Sequence, residues 1–238
     1  MAECAAISRD AAMKTLSHAV IALVLLAAPA FAVPPLPSDP RAAKAVQDYL
    51  RAQQAETAKD RQTRVADRMD ALANNPASPV LGNPKGDVSI IVFSDHNCPY
   101  CKLAEPRLMA LAGKDKGIRI VMKEFPILTR ASMTASRMAL AAHKQGKYRA
   151  FHMALMRREG VLDEAGILET ARATRVDVAR ARREMNGADI SDEIIANFNL
   201  ARGIRAFQTP TYIVGGRILT ADSGDIDFAR EVAHSRRR

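Results

Sequence analysis

Apolar residues along this chain follow two periods, and the change from one to the other divides it. Val46, Tyr49 and Leu50 fall on one helical face, in a helix starting near Arg41 that Ser38 or Asp39 can cap. Val65, Met69 and Leu72 fall on another face, beyond the polar stretch Glu56 to Arg64. Stripes this sparse bury too little to hold a helix alone, so they need a surface to lie on, in their own domain or in another subunit. Asn74-Asn75-Pro76-Ala77-Ser78-Pro79 then breaks the pattern as a linker. Beyond it the apolar residues run together. Val88 to Phe93 and Ile118 to Met122 read as buried strands, and the helical segment Pro99 to Ala112 joins them into a βαβ unit.

From Met133 to about Ile204 only helical spacing survives. Ala135, Met138, Ala139 and Ala142 step along one face, Ile167, Leu168 and Ala171 follow Asp163, and Ile194, Phe198 and Ala201 follow the capping candidate Ser191. This predicts an all-helical insertion, about residues 131–205, of roughly four helices. Its Phe151, Met153 and Met156 suit either core filling or a groove for a client chain. Thr211 to Val214, the pair Gly215-Gly216 and Arg217 to Leu219 then read as a hairpin, and Ser223 or Asp225 as the cap of a last helix through Val232. The order β-α-β, helices, β-β-α places the chain in the α/β class.

The first residues say where the protein works. From Met13 a basic Lys14 leads into the apolar run Ala19 to Ala28, and Ala30-Phe31-Ala32 is a small-x-small cleavage pattern, so residues 1–32 read as a signal peptide. Glu3 and Asp10 are unusual in such a segment, which makes Met13 the expected start. Residues 33–75 then form an N-terminal helical arm behind a leader holding Pro34, Pro35, Pro37 and Pro40, and 76–238 the main domain. The expected destination lies outside the cytoplasm. A formal net charge of +9 raises the question of nucleic acid, but the basic residues are scattered among acids and aromatics are few, so no nucleic-acid partner is expected.

Cleavage removes Cys4 and leaves Cys98-Pro99-Tyr100-Cys101 as the whole cysteine supply. A disulfide closing so short a loop adds little stability, so the pair is a reagent, a redox-active Cys98–Cys101 disulfide in its oxidised form. The pair lies between a strand and a helix. That puts the first sulfur at a helix N-terminus, where unpaired N–H groups and the dipole favour a thiolate, and the second one turn away. Cys98 is therefore the nucleophile and Cys101 the resolving thiol. Pro99 suits the first helical position, and Lys102 is expected to add positive charge near the sulfur. The competing reading is half of a zinc site with His96 as third ligand, but nothing follows to complete a tetrahedral set, so no metal or other cofactor is expected.

These features together resemble the thioredoxin fold with the helical insertion of DsbA-like proteins, and more closely the ScsC-type periplasmic group. The resemblance is carried by Gly82-Asn83-Pro84-Lys85-Gly86-Asp87, Ser94-Asp95-His96-Asn97-Cys98-Pro99-Tyr100-Cys101-Lys102, and Lys123-Glu124-Phe125-Pro126-Ile127-Leu128. Gln145-Gly146-Lys147-Tyr148 with Ala150-Phe151-His152, and Gly203-Ile204 through Thr209-Pro210-Thr211, extend it to the C-terminus. It implies that Pro210 is a cis-proline, with Thr209 beside the redox pair offering backbone groups to a client. It also implies that Tyr100 tunes the thiolate, and that the arm builds a dimer or trimer through residues 40–75. The chain departs from the pattern at Val92, where many relatives keep a buried acid, and at Arg149, where an aromatic residue is expected. Glu124 is the candidate replacement for the acid, with a surface salt bridge as its other reading, and His96 reads as a loop residue. The implied function is an exported thiol:disulfide oxidoreductase for unfolded or misoxidised proteins, recycled by a membrane redox partner. Isomerase or reductase is the first reading and oxidase the second; a copper-binding protein and a holdase chaperone are more distant ones.

Overall fold

The computed structural model describes residues 59–220 and 226–237, all within the compact unit Gln53–Arg238. Strands β1 (Val80–Gly82), β2 (Val88–Ser94), β3 (Ile118–Glu124), β4 (Thr211–Val214) and β5 (Arg217–Thr220) form one sheet in the order β1-β3-β2-β4-β5. The central pair β2 and β3 is parallel, with Val88 opposite Ile118 and Ser94 opposite Glu124, and the remaining pairings are antiparallel. The β4–β5 turn uses Gly215 and Gly216 at φ +54° and +78°, which glycine reaches without a side-chain penalty. This is a thioredoxin-like α/β fold, as the order of elements in the sequence implies.

Both faces of the central strands are covered, which explains why their apolar runs are unbroken. Alternate residues sort between two cores. Ile90, Val92, Ile120, Met122, Tyr212 and Val214 pack in a core with Ala104 and Leu108 of helix α2 (Pro99–Lys114) and Phe228 and Val232 of helix α8 (Phe228–Arg236). Ile91, Phe93, Val121 and Ile213 face the other way, onto Phe125, Ala201 and Ile204.

That second core also holds Val65, from the helical stretch 59–66, and Leu72, from helix α1 (Met69–Ala73). Both are fully buried. The stripe assigned to an oligomerisation arm is therefore spent on its own domain, and the domain begins before the expected boundary at residue 76. A flat sheet face with Ile91, Phe93 and Ile213 needed a cover, and this stripe supplies one. Val46, Tyr49, Leu50 and the signal segment lie outside the described residues.

The helical insertion runs from Arg130 to Gly203 as α3 (Arg130–Lys144), α4 (Tyr148–Met156), α5 (Glu164–Ala173), α6 (Val178–Glu184) and α7 (Ala188–Gly203). It holds one helix more than expected. Of α6 only Ala181 is buried, so the element carries no apolar period, and its start is marked instead by Asp177, which accepts from the Arg180 amide. Asp163 caps α5 as expected. Ser191 does not cap α7, which begins at Ala188; its hydroxyl bonds back to the Gly187 carbonyl from inside the helix. The last helix is capped by Asp227. Ser223 and Asp225 fall outside the described residues.

Candidate active site

The C-terminal ends of β2 and β3, Ser94 and Glu124, lie side by side, and the loop 95–97 leads from β2 into α2. Asp95 ties this loop down. Its carboxylate accepts from the amides of Asn97, Ile127 and Leu128, and its carbonyl accepts from the Cys98 amide. Asn97 in turn accepts from the Leu162 amide at 2.6 Å and donates to Thr129, bridging the insertion on both sides of the sulfurs. These bonds fix Cys98 as the N-cap of α2, in extended conformation, with Pro99 in the first turn.

Cys98 and Cys101 are both buried, in a small apolar cluster with Met156. Met156 is thus a lid on the sulfurs and Phe151 a core residue, while Met153 is half-buried. The peptide bond Thr209–Pro210 is cis, and the Thr209 carbonyl accepts from Cys98 Sγ at 3.1 Å. Cys98 and the proline loop, 111 residues apart in the chain, therefore meet in the fold.

The two thiols are held in opposite states. The Cys98 pKa falls to about 6, chiefly because the Cys101 S–H can donate to its thiolate. The Thr209 side chain and the amides of Cys101 and Tyr100 add to this against the cost of burial. Thr209 Oγ1 is buried and has no other partner, so it is free to serve the thiolate. Burial pushes the Cys101 thiol well up, with Cys98 and Glu105 acting in the same direction. Lys102 makes no hydrogen bond to the sulfur, though its charge and that of Cys98 act on each other; its ammonium donates to the carbonyls of Arg158 and Gly160, both at 2.8 Å, and anchors the loop beyond α4. Tyr100 is exposed close to Cys98 in the chain, and Leu103, Leu128, Val161 and Phe207 are exposed as well.

His96 is a loop residue but a buried one, and Glu124 is buried too and makes no surface salt bridge. Glu124 accepts from Ser136 at 2.6 Å and Tyr148 at 2.7 Å, and His96 Nδ1 lies 3.5 Å from its Oε2. His96 Nε2 lies 3.1 Å from His152 Nδ1, and His152 Nε2 lies 2.7 Å from Glu105 Oε2. Ser94 donates to the other Glu105 oxygen. Burial raises Glu124 to about 7 and lowers His96 to about 3. Burial also works against a charge on His152, but the Glu105 carboxylate outweighs it and the pKa is raised. His96, Glu124 and His152 bring three donor atoms within 4.8 Å, the spacing of a potential metal set. Glu124 and His152 have protein hydrogen-bond partners, whereas His96 Nδ1 has none.

Glu105, Tyr148 and His152 were missed from the sequence. The signal for Glu105 was its place one helical turn after Cys101, which puts it on the buried face of α2; Tyr148 and His152 are likewise one turn apart on α4. Val92 carries no acid, and the buried Glu105 acts electrostatically on Cys101 instead. Arg149 is exposed at the start of α4.

A thioredoxin-like oxidoreductase from Silicibacter pomeroyi has a similar structure, with TM-score 0.68 and 37% identity, covering 71% of this chain and 98% of that one. The catalytic domain of Proteus mirabilis ScsC matches at TM-score 0.67 and 26% identity, over 74% of this chain and 99% of its own. Among curated proteins, a Na(+)/H(+) antiporter NhaA 3 from Salinispora tropica is 27% identical over 140 residues, 58% of this chain, and the chain spans only 22% of that protein's length. No helix among the described residues is long and apolar enough to cross a membrane. The sequence profile of the DSBA-like thioredoxin domain matches residues 89–232, the span holding the parallel strands, Cys98, Cys101, the helical insertion and Pro210, and the chain belongs to that family.

Proposed function

We propose that this protein exchanges disulfides with unfolded or misoxidised exported proteins in the periplasm. Cys98 is the attacking sulfur, Cys101 the resolving one, and Thr209-Pro210 the seat of the client backbone. The observation that carries this reading is the division of labour between the sulfurs. Cys98 sits at the N-terminus of α2 with its pKa lowered to about 6, while the Cys101 thiol beside it is pushed up by burial. The exposed apolar side chains Tyr100, Leu103, Leu128, Val161 and Phe207 suit the apolar segments an unfolded client presents.

The finer assignment is isomerase or reductase, with a membrane redox partner returning the pair to its working state and residues before 59 joining copies into a dimer or trimer. Burial of Val65 and Leu72 in their own domain favours the second reading, a monomeric oxidase, because it removes half of the apolar surface that called for a partner subunit. Two assays on the chain from Val33 separate them. Reactivation of scrambled ribonuclease together with an oligomer by light scattering supports the isomerase. A monomer that oxidises reduced ribonuclease but leaves the scrambled form inactive supports the oxidase. Loss of exchange in Cys98→Ala is required by both, and retained exchange overturns both.

A further inference from the structure

We infer that the groove between helices α4 and α5 is a seat for an acidic stretch of the client chain, so that Cys98 selects disulfides whose cysteine lies a few residues from a run of Asp or Glu. The inference rests on the thiol-exchange reading above and adds to it the substrate class.

The groove, about 730 Å³, runs along the solvent side of α4, where Arg149, Met153 and Arg157 recur at helical spacing, and Thr174 and Arg175 line it from the end of α5. Lys147, just ahead of α4, is its fourth cation, and no Asp or Glu lines it. Other surface cations of this protein find acids. Arg64 meets Asp60, Lys144 meets Asp189, Arg158 meets Glu169, Arg180 meets Glu184, and Arg236 meets both Asp87 and Asp115. Lys147, Arg149, Arg157 and Arg175 make no ion pair among the described residues, and all four are exposed.

The local backbone gives three of these cations no reason to be there. Lys147 is the N-cap of α4 and Arg149 stands in its first turn, at the positive end of the helix dipole, where an acid would stabilise and a cation repels. That first turn holds no acid, and the N-cap side chain makes no cap hydrogen bond. Arg175 has φ +59°, a left-handed conformation that glycine adopts freely and a residue with a side chain only under strain. Arg205 shares that conformation, but its guanidinium lies 3.8 Å from the Asp60 carboxylate, whereas Arg175 meets no acid. A polyanion in the groove answers all of this at once, pairing the four cations and lying against the uncapped start of α4.

Shape and position choose the occupant. A flat anionic membrane meets cations that stand out from a face, but these line a concavity that also holds the half-buried Met153, which fits an extended peptide. From Arg149 to Arg157 the helix axis advances about 12 Å, the length of roughly four extended residues. Arg157 is the next residue after Met156, which packs with both sulfurs, and the Lys102 ammonium of α2 holds the following carbonyl, that of Arg158. A client whose cysteine has reached Cys98 therefore brings its neighbouring residues within reach of the Arg157 end of the groove.

The test uses the reduced chain from Val33 and short peptides whose single cysteine carries a thionitrobenzoate cap. Cys98 attacks the peptide sulfur, the bond to the cap breaks, and the coloured thiolate leaves with the electron pair, so stopped-flow absorbance gives the rate. Each peptide has a run of glutamates, or of glutamines in its twin, a few residues before or after the cysteine. At low ionic strength the glutamate peptide of at least one placement is expected to react about tenfold faster than its twin, with the ratio falling toward one at ~0.5 M salt. Arg149→Glu/Arg157→Glu should bring the ratio to about one. Arg182→Glu/Arg183→Glu, an equal change of charge at exposed residues of α6 outside the groove, should keep most of it. A ratio near one in the parent, or an equal loss in both variants, overturns the groove. So does binding to phosphatidylglycerol vesicles that Arg149→Glu/Arg157→Glu abolishes when the parent shows no peptide ratio, since the groove is then a membrane contact. Fluorescence anisotropy of labelled peptides with serine in place of cysteine reads the groove without the sulfurs. If no peptide loses its cap, the thiol-exchange reading fails, and the groove stands only if the glutamate peptide still binds about tenfold more tightly than its twin; equal binding overturns it.

Discussion

Lys123 and Glu124 are neighbours on β3, both buried, and because strand residues alternate they serve opposite faces of the sheet. Glu124 belongs to the buried group with His96 and His152. Lys123 points to the second core, where its ammonium donates to Ser78 Oγ at 2.7 Å and to the Ala71 carbonyl at 3.3 Å. Ser78 donates on to Glu193 of α7, which also accepts from Asn75. Burial lowers Lys123 to about 8, so its charge at neutral pH is held at a cost that Glu193 partly offsets. Its reward is architectural: one residue ties α1, the linker 74–79 and α7 to the sheet. The same expense at Glu124 joins β3 to α3 and α4, through Ser136 and Tyr148, and leaves a group that can gain and lose a proton. Two buried charges one residue apart thus do different work because one has a fixed counter-charge and the other a file of titratable neighbours.

The largest effect that separates them is on stability. Lys123→Met strands the Glu193 carboxylate in a buried site and should lower the unfolding free energy by about 3 kcal/mol, read by urea denaturation. Adding Glu193→Gln should recover part of the loss, while Cys98 alkylation stays as in the parent throughout. An alkylation profile that shifts with Lys123 would mean the two faces are coupled and break the comparison.

On the other face the reactivity changes first. Thr209→Val removes a hydroxyl that has no task except the Cys98 thiolate, a hydrogen bond to a charged group of about 1.5 kcal/mol or more. The midpoint of Cys98 alkylation should therefore rise from about 6 by roughly one pH unit with little loss of stability. An unmoved midpoint would assign the thiolate to Cys101 and the α2 amides alone.

The pH dependence of stability sharpens the contrast further. Glu124 is raised in the folded state from 4.5 to about 7, so its contribution is full below 4.5 and is lost as pH rises through about 7. Cys98 is depressed from 9.0 to about 6, so its contribution is present above 9.0 and is lost as pH falls through about 6. Glu124→Gln should remove the first of these slopes and leave the second, measured as denaturation midpoints of the reduced protein from pH 4.5 to 9.0. The smallest effect belongs to Lys102→Met. The ammonium is hydrogen-bonded to loop carbonyls but still acts on the Cys98 charge, so the Cys98 midpoint should rise only slightly while protease sensitivity near Gly160 increases.

Much of the site was legible in the sequence, and for a definable reason. Cys98 and Cys101 sit within one turn, between an apolar run and a helix, so their placement at the start of α2 follows from local geometry. The cis position of Pro210 was legible only through resemblance, since an X-Pro dipeptide does not declare its isomer. The helix α6 escaped because it buries a single residue, and Ser191 was misread as a cap because the helix it begins to resemble had already started three residues earlier. Lys102 does bring its charge within reach of Cys98, but its hydrogen bonds go to carbonyls beyond α4 that the sequence does not point to.

What the sequence determined by itself is the set of elements and the chemistry that sits inside one of them: the βαβ unit, the helical insertion, the Gly215-Gly216 hairpin and the thiol pair at a helix start. Periodicity and turn residues act over a few positions, so they need no partner to be read. What only the tertiary structure decided is which apolar stripe covers which surface and which charges share a buried site. Val65 and Leu72 could have met a second subunit, and they meet Ile91, Phe93 and Ile213 instead. Glu105 and His152 are 47 residues apart, and Lys123 and Glu193 are joined through Ser78 across more than one element. A periodic pattern tells a segment that it must be covered without naming the cover, and a buried carboxylate is tolerated only once distant segments have delivered its hydrogen-bond partners.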